Sequence, residues 1–167
     1  MVDSSTPHGT AAAVLAALDA QRWSDVAARC AEAPLAELRD SVATFIESLH
    51  QHRFALPDEI DPSAVLREYG DDLADAAALR ALTPRAFLVR HLSRPEMIVP
   101  STGPRTMGEV SLAGDHAVVK YRRPGTGSQE LRLVRSAGEW LVLLNDDILP
   151  VVRLSPALWR RRFEAGA

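Results

Sequence analysis

A single cysteine, Cys30, leaves this 167-residue chain without the means to form an intramolecular disulfide, and it rules out any C-x-x-C metal or redox pair. That scarcity points to a reducing, cytoplasmic setting. Long apolar runs are also missing. Nothing approaches the ~18 consecutive apolar residues of a membrane span, and the short run in "MVDSSTPHGTAAAVLAALDA" lacks the preceding Lys or Arg of a secretory signal. There is no excess of basic charge either, the net charge being -3, so nucleic acid has no general attraction for the chain. No G-x-S-x-G, H-E-x-x-H or phosphate-cradling glycine loop occurs, and no internal repeat. Neither a cofactor nor a metal is expected, and neither a nucleic-acid nor a membrane partner.

What is present is the composition of a globular protein, 47% hydrophobic and 25% charged. A single domain of this length can bury about 70% of the surface its unfolded chain exposes. The expected organisation is a flexible N-terminus (1–9), a helical part (10–92), an antiparallel sheet (96–148), and a tail with a short helix (149–167).

The helical part is Ala-rich. Helices are expected over Thr10 to Ala20, over "SDVAARCAEA", and over "PLAELRDSVATFIESLHQH". In the third, Leu35, Leu38, Val42, Phe45, Ile46 and Leu49 recur at three- and four-residue spacing and share one face. Pro34 suits its first turn, where a missing N–H has no partner to lose. Beyond the break "RFALPDEIDPS", Asp61 or Ser63 can cap a short helix through Leu66 and Tyr69, and "DDLADAAALRAL" follows Gly70. In "LTPRAFLVRHL" Thr83 reads as an N-cap and Pro84 as the first helical residue, with Phe87, Leu88 and Leu92 pointing inward.

After Ser93 the period changes to two. "MIVP" reads as a short edge strand. Then come "TMGEVSL", "HAVVKYR", "QELRLVR" and "EWLVLL", joined by "AGD", "RPGTGS" and "SAG". Connections this short join antiparallel neighbours, so the result is a meander. Ala117, Val119 and Tyr121 alternate with His116, Val118, Lys120 and Arg122, while Leu131 and Leu133 face inward and Glu130 and Arg132 outward, within reach of Lys120 or Arg122. "EWLVLL" is apolar on both faces, as expected of a strand covered on both sides, for instance beneath the C-terminal tail.

The fold class expected is α+β, with N-terminal helices packed on one face of a curved four-stranded antiparallel meander and a short C-terminal helix. "LDAQRW" at the end of the first helix and "LRLVRSAGEWLVLL" in the last hairpin carry a likeness that spans Ala11–Trp23 and Arg105–Leu144. In these stretches the chain resembles the cone-shaped α+β superfamily of ketosteroid isomerases, polyketide cyclases and nuclear-transport-factor-like proteins. It departs from that pattern where members place an early strand pair, since Pro34 to Leu92 reads as wholly helical. The resemblance implies a hydrophobic pocket between helices and concave sheet, in which a carboxylate, His or Tyr does acid–base work. The same fold also serves binding and dimerisation.

Several polar groupings invite a chemical reading. "DDLAD", Asp71 to Asp75, has the D-D-x-x-D spacing that can hold a hard cation. It sits at a helix start, where acids are favoured by the macrodipole, within Pro57–Ala76, whose seven acids against one Arg read as a solvated face. His50 and His52 diverge on a helix and cannot share a metal, and His91 reads like them as a structural residue near a helix end. Asp115 and His116 adjoin in the turn "AGDH" and point to opposite faces.

The candidate site is built from Tyr121, Trp140 and Leu133 as ligand-binding residues, with Tyr121, Asp146 and Asp147 as the catalytic candidates. A carboxylate at the strand end can partner a buried Tyr hydroxyl and carry a raised pKa useful for proton transfer. The function expected is binding of a small apolar molecule between helices and sheet, with or without cofactor-free isomerase or cyclase chemistry. The alternative is a non-catalytic module for protein–protein association or homodimerisation. Its anchors would be Trp159, Arg160 and Phe163 of the C-terminal "ALWRRRF" stripe.

Overall fold

The computed structural model describes residues 5–51, 75–93, 103–125 and 127–143. Among these residues five helices come first: α1 (Pro7–Asp19), α2 (Trp23–Ala28), α3 (Glu32–Gln51), α4 (Ala76–Ala81) and α5 (Pro84–Leu92). Four strands follow: β1 (Thr106–Ala113), β2 (His116–Arg122), β3 (Ser128–Ser136) and β4 (Glu139–Leu143). The strands form one antiparallel sheet in the order β1-β2-β3-β4, an open meander, as the short connections require. The architecture is α+β. The edge strand expected at "MIVP", the tail and the short C-terminal helix lie outside the described residues.

Local chemistry accounts for most element ends. The Thr6 hydroxyl accepts from the Gly9 N–H at 3.1 Å and Pro7 opens α1. Helix therefore begins within the N-terminal segment expected to be flexible over 1–9. The end of α1 is a Schellman motif: the Arg22 N–H donates to Ala17 O at 2.8 Å and the Gln21 N–H to Leu18 O at 3.2 Å. It forces Gln21 to φ 54, a conformation favourable to glycine. Thr83 caps α5 as expected, accepting from Ala86 N–H at 3.2 Å. Asp75 caps α4 by accepting from Ala77 and Ala78, so the final acid of "DDLAD" has a local structural task.

The second helix is shorter than "SDVAARCAEA" suggests. It stops at Ala28, and Cys30 instead forms a parallel bridge with Val142 of β4. The Ala31 N–H donates to Val142 O at 2.9 Å and the Val142 N–H to Arg29 O at 2.8 Å. Two hydrogen bonds to a sheet edge here outweigh helix propensity, which is worth only tenths of a kcal/mol per residue.

The core lies between the sheet and α1. Ala117, Val119, Tyr121, Leu131, Leu133, Trp140 and Val142 pack with Val14, Leu15 and Leu18 of α1, and with Leu35, Leu88 and Leu92 behind them. On α3, Leu35, Val42 and Ile46 are buried and Leu38 is half-buried, the face expected from their spacing. Arg80 of α4 clasps Glu47 of α3, with Nη2 2.8 Å from Oε2. On the sheet's other side His116, Lys120 and Arg122 are exposed, while Val118, Val134, Leu141 and Leu143 are half-buried. Lys120 stands opposite Glu130 in the ladder and its Nζ lies 3.3 Å from Glu109 of β1.

Candidate functional site

Strand register decides which inner-face side chains can meet. Tyr121 is paired with Met107 on one side and Gln129 on the other. Leu133 lies between Ala117 and Val142, and Trp140 stands opposite Arg135, whose N–H donates to Asp115 O just before β2 begins. Along the strands, Trp140 is therefore level with position 115, just before β2 and six residues from Tyr121. At about 3.3 Å per residue that is about 20 Å, with two strand spacings of about 4.8 Å besides.

Tyr121 and Trp140 thus occupy opposite ends of the sheet and cannot share the floor of one small pocket. Leu133, the third residue expected to bind a ligand, is two residues from Trp140's level and four from Tyr121's. Period-two alternation put Tyr121 and Leu133 on the inner face, and Trp140 is buried on it too, but how far apart they lie depends on the hairpin registers. All three are buried in the core cluster, Tyr121 at 2% exposure and Trp140 at 5%. Asp146 and Asp147, the proposed acids, lie outside the described residues, as do Trp159, Arg160 and Phe163.

Helix α1 is fastened across this face at two points. The Thr10 hydroxyl donates to Trp140 O at 3.3 Å, at the start of β4. At its other end, the Asp19 carboxylate accepts from the Arg105 N–H at 2.9 Å and pairs with the Arg105 guanidinium, just before β1. Since β1 and β4 start from opposite ends of the sheet, α1 runs diagonally from the Trp140 corner to the Arg105 corner. The corner at the far end of β1 is left off this diagonal. There Leu112 is 64% exposed, although it completes the in-register row Val142, Leu133, Ala117, Leu112, whose other members are buried.

The remaining titratable groups have structural environments. Cys30 is fully buried and donates from Sγ to Val26 O at 3.3 Å. Burial pushes its thiol up to about 12, with only a small opposing pull from Arg85. It is a poor nucleophile. His91 is buried one turn beyond Phe87, its ring centroid 5.8 Å from the Phe87 ring; the i, i+4 spacing from Phe87 was the signal that placed it inside rather than at an exposed helix end. Asp115 and His116 are both exposed, and the turn is closed by Gly114 at φ 62. The Arg80 hydrogen bond holds the Glu47 carboxyl below its usual range, and Glu47 in turn raises Arg80.

No helix among the described residues is long and apolar enough to cross a membrane. The chain matches no protein-family model, no curated protein and no solved structure.

Proposed function

We propose that this domain is a non-catalytic association module that forms homodimers. The observation that carries the reading is the exposure of Leu112 at the end of an otherwise buried apolar row, on the sheet corner that α1 leaves uncovered. Tyr121, Trp140 and Leu133, the residues first considered for a pocket, are buried in the core cluster with helical side chains. The likeness of "LRLVRSAGEWLVLL" to the cone-shaped superfamily is compatible with this role, because that fold supports dimerisation as well as catalysis. Sedimentation equilibrium over a wide concentration range tests it. The expected result is a monomer–dimer equilibrium that Leu112→Ser moves toward monomer. A chain that stays monomeric throughout sinks the proposal.

A second reading, binding of a small apolar molecule, rests on Tyr121, a phenol buried among the inner-face hydrophobes. Such a ligand would raise the Tm of the wild-type chain and much less that of Tyr121→Phe. A panel of apolar ligands that leaves both unchanged removes this reading.

A further inference from the structure

We draw no further inference here: the strongest candidate, the half-buried apolar patch of Val118, Val134, Leu141 and Leu143 on the outer face of the sheet, is an unpartnered face, and nothing among the described residues shows what covers it.

Discussion

The Thr10 hydroxyl bonds the Trp140 carbonyl across 130 positions of sequence and fixes where the first helix lies on the sheet. With the Asp19–Arg105 contact at the other end, it sets the diagonal that leaves Leu112 outside. Asp19→Ala removes the acceptor for both the Arg105 N–H and its guanidinium, which are largely shielded from solvent. Denaturant titration should show a loss of about 1–3 kcal/mol, and Thr10→Val a smaller loss of about 0.5–1.5 kcal/mol.

The row Val142, Leu133, Ala117, Leu112 provides an internal comparison. Leu133→Ala should cost about 2–5 kcal/mol, because the side chain is fully buried. Leu112→Ala should stay within about 0.5 kcal/mol at concentrations where the chain is monomeric. Chemical unfolding of both variants at low protein concentration checks the contrast. Equal losses would mean that Leu112 is covered.

Among the described residues two non-glycines hold positive φ, Gln21 at 54° and Ala137 at 49°. Gln21 ends the Schellman motif, and Ala137 with Gly138 (φ 87) makes the two-residue turn between β3 and β4. Both positions favour glycine, or asparagine in the turn. Gln21→Gly and Ala137→Asn should each raise stability by about 0.5–1 kcal/mol, seen as separate, additive increases in Tm.

Cys30 links stability to alkaline pH. Its folded thiol is raised from 9.0 to about 12, so the native state keeps the proton that the unfolded chain releases. The stabilisation is fully present below pH about 9 and is lost as pH rises from there toward about 12. Unfolding free energies measured from pH 7 to 11 should fall less steeply for Cys30→Ala than for the wild type. A thiol reagent at pH 8 should label Cys30 only as fast as the protein opens.

The Arg80–Glu47 clasp between α3 and α4 is solvent-exposed, so its contribution is screened by salt. The Glu47 carboxyl is lowered, hence the contribution is present above the ordinary glutamate range and lost as pH falls below it. A double-mutant cycle with Glu47→Gln and Arg80→Met should give a favourable coupling near neutral pH that shrinks in high salt and vanishes in acid.

Much of this fold was legible because its signals are local. Thr83-Pro84, the spacing from Leu35 to Ile46, and the glycine turns between alternating runs each name an element without reference to anything distant. Arg29–Ala31 was not legible: "AARCAEA" reads as helix, and only the open edge of β4, more than a hundred residues later, turns it outward. The spread of the candidate site along the sheet was hidden for the same kind of reason. The inner-face placing of Tyr121 and Leu133 follows from alternation, but their separation from Trp140 is set by hairpin registers acting in series. The bulge at Gly108 and Glu109, which breaks the regularity of β1, carries only a glycine as its sequence sign.

The asymmetry between the two sheet edges bears on how large an assembly can become. A fibre grown by strand addition needs two sticky ends on every molecule, so that each arrival exposes a new place for the next. Here Arg29–Ala31 acts as a plug on one end. Among the described residues the outer strand of the sheet at the other end is β1, so a molecule whose β4 end is plugged has one end fewer at which a copy can arrive. Strand addition along the sheet therefore cannot propagate through the β4 end, and removing the plug, rather than altering β1, is the change that would open a route to filaments.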